Sequence, residues 1–151
     1  LHTLGERYNV GCCVIDYGPE VEKAIEFQES AKFNVWRVNY LGVGTTRGMR
    51  YNSTERLITV DRTLALDRAY TQLKLKKNVL PGNFSVLFDG DYVKEMTSLI
   101  RQLTENKAGT SKFEWVGSPE SDHCRHADAY DMLAAETMAD DVIDGSNIMI
   151  I

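Results

Sequence analysis

The sequence predicts an α/β fold, a mixed sheet flanked by helices, and three observations lead there. VGCCVIDYG (Val10 to Gly18) is a nearly continuous apolar run ending in an aspartate, as a strand buried on both faces should read. A helix-period segment follows Gly18-Pro19. FNVWRVNYLG (Phe33 to Gly42) then sets Val35, Arg37 and Asn39 against Trp36, Val38 and Tyr40, the alternation of a strand. Strand, helix and strand within about 30 residues make a βαβ unit, so the two strands should be parallel neighbours.

The elements follow in order. In PEVEKAIEFQESA, Pro19 suits the first helical position. Val21, Ala24, Ile25 and Gln28 share one face, and Glu20, Glu22, Glu26 and Glu29 lie mostly outside it. VGTTRGMRYNS (Val43 to Ser53) is glycine-rich and basic and reads as a loop. LITV (Leu57 to Val60) is a short strand, and DRTLALDRAYTQLKLKK a helix with Leu66, Ala69, Tyr70 and Leu73 on one face. NVLPGNFSVLF holds an edge segment broken at Pro81-Gly82. DYVKEMTSLIRQLTEN is expected to be one amphipathic helix, because Tyr92, Met96, Leu99, Ile100 and Leu103 keep the helical repeat. KFEWVG is a short strand. SPES (Ser118 to Ser121) caps a final helix running to about Met138, and residues 139–151 form a tail of unassigned structure.

At 151 residues the chain is expected to be one domain with a sizeable core. No run reaches the ~18 apolar residues of a membrane span, and no signal peptide opens the sequence. A net charge of −5 argues against a surface that wraps nucleic acid all round, although a nuclease site must itself be acidic to hold metal. Of three cysteines, Cys12 and Cys13 adjoin in an apolar run and Cys124 has no CxxC partner, which points to a reducing compartment and away from structural zinc. The opening LHTLGERYNV has no initiator Met and is already entering a strand by its tenth residue, so a piece of a longer polypeptide is expected.

Two acids stand where chemistry could occur. Asp16 ends the first strand, the place where ligands bind in open α/β sheets; a turn aspartate bonded to nearby amides reads equally well. Asp122 opens the final helix, where an acid is favourable in any case, and pairing it with Asp16 on one hard cation is the sharper reading. On a helical wheel His123, Ala127, Tyr130 and Ala134 make the apolar stripe with His126 and Leu133 beside it, and Asp128 and Asp131 face water. His126, one turn from Asp122, could join that site or pack against the stripe. GxSxG, HExxH and GxxxxGK[ST] are absent. The residues alone reach an acidic α/β domain with a possible metal.

Three ordered pieces resemble one family. VIDYGPEVEKA, LITVDRTLALDRAYTQLKLKKNVLP and SDHCRHADAYDMLA are similar to the second acidic strand with its helix, the "RT-x-x-LD … P" helix and the closing helix of the nuclease domain in large terminase subunits of tailed bacteriophages. The resemblance spans about Val10 to Ala135. It implies a ribonuclease H-like mixed sheet without the opening strands, and an endonuclease that cuts concatemeric double-stranded DNA with two Mg²⁺ or Mn²⁺ ions. It makes Asp16 and Asp122 the second and third metal-binding acids, with His126 and Glu20 behind them. A helix follows Asp16 where the family's first acid is followed by a hairpin, so the first acid and the ATPase domain are expected upstream. It also implies the capsid portal protein and the small terminase subunit as partners, and the host bacterial cytoplasm as location. DNA contacts are expected at Arg47, Arg50, Lys74, Lys76 and Lys77. Other assignments remain: Asp16 as first acid with Asp61 or Asp67 as second, Asp128 as third, a non-cutting module that docks to portal or DNA, or a small-ligand domain.

Overall fold

The computed structural model describes residues 2–41, 48–80, 82–83, 86, 90–105, 109–117 and 122–144, the last five of these in backbone only. Arg47, the capping segment 118–121, part of 78–88 and the end of the tail at 145–151 lie outside the described residues. The architecture is α/β, with a mixed sheet and helices against it. The chain divides into two compact units: one runs to Asp61 and resumes at Tyr130, the other is Arg62–Ala129. Among the described residues no helix is long and apolar enough to cross a membrane.

The first unit is built on a four-stranded sheet. After a short helix α1 (His2–Arg7) come β1 (Cys12–Asp16), α2 (Val21–Ser30), β2 (Asn34–Leu41), β3 (Arg50–Asn52) and β4 (Leu57–Asp61), in the spatial order β1-β2-β4-β3. β2 pairs in parallel with β1 and β4, and only β3 runs antiparallel. The βαβ unit thus forms as its alternation requires. Four successive residues of β2, Val35 to Val38, are buried, so both faces of this strand are covered. Trp36, Val38, Ile58 and Val60 lie on one face, where Cys12 Sγ meets Thr137 Oγ1 at 3.3 Å and Tyr51 donates to Glu136 at 3.0 Å from the end of the last helix. α2 covers the other face. Its Gln28 donates through Nε2 to the carbonyls of Val35 at 2.8 Å and Arg56 at 3.1 Å. Val35, Val38, Ile58 and Val60 are fully enclosed, and each such aliphatic contributes about 1.5–3 kcal/mol of burial.

Two local expectations change here. Pro19 precedes α2, whose first residue is Val21, and its bond to Gly18 is cis. The segment read as a loop from Val43 to Ser53 contains β3, which is too short to show a period of its own and exists through pairing with β4.

The second unit contains α3 (Arg62–Lys74), α4 (Asp91–Met96), the antiparallel pair β5 (Ile100–Glu105) and β6 (Ser111–Val116), and the first residues of α5 (His123–Asp144). The helix expected over DYVKEMTSLIRQLTEN stops after six residues. Thr97 and Ser98 turn their hydroxyls back onto the carbonyls of Val93 and Glu95, which ends α4, and IRQLTE pairs with SKFEWV instead. Ala65, Leu66, Ala69, Leu99, Trp115 and Ala129 form the core of this unit. α5 extends past Met138, the expected end, to Asp144.

Gln28 is nearly enclosed and holds two carbonyls from different segments. Gln28→Ala should therefore lower stability by about 1–3 kcal/mol, since the buried Val35 carbonyl loses this donor, while the Arg56 carbonyl keeps the Arg37 amide at 2.9 Å. Urea unfolding should show this as a lower midpoint at unchanged slope. A loss below about 0.5 kcal/mol would mean that water replaces the amide.

Candidate functional site

Asp16 ends β1 with its side chain exposed. Its Oδ1 accepts the Gly18 amide at 3.3 Å, while the Tyr17 amide continues the ladder to the Val38 carbonyl at 2.8 Å. It is thus a turn aspartate bonded to a nearby amide, at the carboxyl end of the parallel strands. Asp61 ends β4 at the same edge, but the register separates the two. Asp16 is level with Val38 and Ile58, and Asp61 is level with Leu41, an odd number of steps farther on. Side chains alternate faces along a strand, so Asp16 and Asp61 point to opposite faces and do not form one carboxylate pair. Glu20, expected behind Asp16, forms an exposed ion pair with Lys23 at 3.0 Å.

Asp122 lies in the second unit, immediately before α5, and is 6% exposed. Its Oδ2 takes Arg62 Nη2 at 3.1 Å and faces His126 Nε2 at 3.3 Å. Arg62, the first residue of α3, also donates through Nη1 to the Trp115 carbonyl at 2.9 Å, which fixes the guanidinium between β6 and the start of α5. His126 Nε2 stands 3.2 Å from Arg62 Nη2 as well. One nitrogen cannot donate to the carboxylate and accept from the guanidinium at once, so the imidazole tautomer decides which bond it makes. His126 therefore does join Asp122, as the sequence allows. Arg62 was not anticipated, although it stands in the quoted RT-x-x-LD segment.

The rest of the helix start departs from the expected phase. The buried positions are Asp122, Arg125, Ala129, Met132, Leu133, Ala134 and Thr137, whereas His123 and Ala127 are exposed. Asp128 does not simply face water: Asn78 donates to its Oδ1 at 2.7 Å. Asp131 is exposed as expected. Glu95 on α4 supplies an unforeseen cap, with its Oε2 accepting the Cys124 amide at 2.7 Å. That bond and one from the thiol hold the Glu95 carboxyl below its ordinary range. Burial and the same carboxylate push the Cys124 thiol up to about 11, so it is not a thiolate at neutral pH.

Asp67 is committed elsewhere. Arg101 grips it through Nε at 2.9 Å and Nη2 at 3.0 Å, and Trp115 Nε1 donates to it at 2.8 Å. It ties the β5–β6 hairpin to α3, which leaves it poorly suited as the second acid. Arg125 is almost fully buried with its guanidinium 4.6 Å from the Trp115 ring and 5.0 Å from the Tyr70 ring. Of the residues expected to touch DNA, Arg50 is exposed on β3. Lys74 ends α3 with its ammonium 5.7 Å from the Tyr70 ring, and Lys76 and Lys77 follow it, all three exposed.

Asp122 and Asp16 each offer one carboxylate, and among the described residues no group of three or more His, Cys, Asp or Glu could hold a metal ion. With Oδ2 of Asp122 already engaged by Arg62 and facing His126 Nε2, these residues alone do not fit a two-ion Mg²⁺ or Mn²⁺ centre. Compared with family models, curated proteins and solved structures, the chain matches none.

Two outcomes follow from this geometry. Asp122→Asn should cost about 1–3 kcal/mol, less than a fully buried pair because the Arg62 side chain is 33% exposed. Asp131→Asn should cost less than about 0.5 kcal/mol, and equal losses would contradict the helix phase. Glu95 has its pKa lowered by folding, so it adds stability above the unfolded value and loses it as pH falls through the folded one. The protection factor of the Cys124 amide should hold steady down to about pH 4.5 and decline below it. In Glu95→Gln that decline should disappear; an identical curve in both proteins would show that Glu95 is not the cap.

Proposed function

We propose that this chain is part of the nuclease domain of a terminase large subunit, a ribonuclease H-like module that cuts concatemeric double-stranded DNA during genome packaging. The observation that carries the reading is the 3.1 Å pair between Arg62 and Asp122. The two residues come from separately recognised segments, the RT-x-x-LD helix and the closing helix, about 60 residues apart in sequence. Their meeting around one buried carboxylate is what a shared functional centre would require. Asp16 supports the reading from the carboxyl edge of its sheet, where α/β proteins place ligand-binding residues.

In this reading Asp16 and Asp122 are the second and third acids, and His126 orients Asp122. Mg²⁺ or Mn²⁺ would supply the Lewis-acid and water-activating chemistry of phosphodiester hydrolysis. The first acid and the ATPase domain belong to polypeptide upstream, and the portal protein and small terminase subunit are the partners in the bacterial cytoplasm. Lys74, Lys76 and Lys77 would meet the DNA backbone, with Arg47 and Arg50 doing so from the first unit. Asp122's engagement by Arg62 favours one second reading, a nuclease-like module that docks to DNA or portal without cutting.

The test is cleavage of supercoiled plasmid by the polypeptide extended upstream to include the first acid. Cutting should require Mn²⁺ or Mg²⁺, stop on chelation, and fall more than about a hundredfold in Asp16→Ala and in Asp122→Asn, with Asp131→Asn unchanged. Salt-sensitive DNA binding with no cutting by any extended polypeptide would favour the docking module. Full cutting by both acid variants would overturn the assignment of these acids.

A further inference from the structure

We propose that the first unit contains a binding site for a small oxyanion, a carboxylate or a phosphate monoester, with Arg37 as its principal donor. This does not rest on the nuclease reading. The site is a cavity of about 390 Å³ between α2 and the turn that joins β3 to β4. Tyr17, Ile25, Gln28, Arg37, Glu55 and Arg56 line it.

Arg37 is the reason to expect a ligand. It lies in the middle of β2 and is 7% exposed, an unusual position for a guanidinium. Nη2 donates to the Glu55 carbonyl at 3.1 Å, and the guanidinium sits 5.5 Å from the centre of the Tyr17 ring. Its Nε is buried and has no hydrogen-bond partner. A buried N–H of a charged group is costly to leave unmade, and the Nε edge of a guanidinium is shaped to meet two oxygens of one oxyanion. The neighbouring Gln28 Nε2 cannot relieve it, because it is itself a donor, directed at the Val35 and Arg56 carbonyls.

A second cation faces the same space. Arg56 donates through Nη2 to the Gln28 carbonyl at 3.4 Å and holds a left-handed backbone, φ 47°, at the end of the turn. That conformation is disfavoured for a residue with a Cβ and persists where the surroundings impose it. The cavity far exceeds the ~30 Å³ share of one water and lies within the ~300–1,000 Å³ range of small-molecule sites.

Charge at the cavity selects the ligand. Glu29 and Glu55 are also lining residues and are exposed, so the two arginines are balanced by two carboxylates. A DNA backbone, with its successive phosphates, would bring further negative charge against those carboxylates. A compact ligand with one anionic group, and with donors of its own for the glutamates, suits the mixture better.

The experiment uses the 151-residue chain labelled with ¹⁵N and follows the Arg37 Nε–H resonance. Sodium phosphate and sodium acetate are titrated separately against sodium chloride at matched ionic strength. A saturable shift with phosphate only assigns a phosphate ligand, with acetate only a carboxylate, and with both an oxyanion site of either kind. Arg37→Gln should abolish binding. Because that change alters a buried residue, two surface-side variants accompany it. Arg56→Gln should weaken binding about tenfold. Glu55→Gln should tighten it several-fold, since Arg37 uses only the backbone carbonyl of Glu55. A shift that does not saturate, or that chloride reproduces, would overturn the proposal. So would displacement of phosphate by a short DNA duplex at equal phosphate concentration, which would mark a general polyanion surface.

Discussion

Covering β2 on both faces is the constraint on which the first unit depends. A strand hydrogen-bonded on both edges and buried from Val35 to Val38 leaves no side open to water, so each residue must be apolar or supplied with partners. Val35 and Val38 meet the first condition. Arg37 meets the second only in part, through the Glu55 carbonyl and the Tyr17 ring. Gln28 is the counterpart from α2, since its amide ties the helix to β2 and to the turn before β4. The same constraint sets the carboxyl edge, because the register that buries Val38 beside Ile58 also assigns Asp16 and Asp61 to opposite faces.

The second unit solves a different problem with charge. It is small, and its aliphatic core of Ala65, Leu66, Ala69 and Leu99 is modest. Much of its order comes from polar clamps: Asp67 holding Arg101 and Trp115, Glu95 capping the start of α5, and Arg62 joining Asp122 to the Trp115 carbonyl. Arg125 lies against both the Tyr70 and Trp115 rings, which also meet each other, and there burial lowers its pKa while the ring faces favour the cation. Such clamps are directional, and each fixes one arrangement where an apolar contact would tolerate several.

How much of this was legible in the sequence follows from the range of the interactions involved. β1, α2, β2, β4 and α3 could be read because each carries its period locally and the crossover rule fixes the parallel pairing. The hairpin could not. Met96, Leu99, Ile100 and Leu103 satisfy a helical repeat, IRQLTE shows no alternation of its own, and only pairing with Ser111–Val116 makes it a strand. The phase of α5 is hidden in the sequence for a related reason. Ala127 and His123 fit an apolar stripe, but the buried side includes Arg125, a charged residue that the Tyr70 and Trp115 rings and the nearby Asp128 and Asp67 carboxylates make acceptable there. Of the candidate site, Asp16, Asp122 and His126 could be named from position. Arg62, Glu95 and Arg37 could not, since their partners lie 18 to 60 residues away in sequence.

The Arg62–Asp122 pair bears on how an acid can be kept ready for a cation in a nearly enclosed place. Arg62 supplies positive charge at 3.1 Å, and its own anchor on the Trp115 carbonyl keeps the carboxylate oriented. A stronger cation could then take the oxygen only by displacing the guanidinium, which at one-third exposure can swing toward water at modest cost. In the nuclease reading Arg62 is thus a stand-in that holds Asp122 in place. In the docking reading the same pair is permanent and closes the site. The two readings differ in whether Arg62 leaves, and the position of the Arg62 guanidinium in the presence of Mn²⁺ separates them more directly than the acids themselves do.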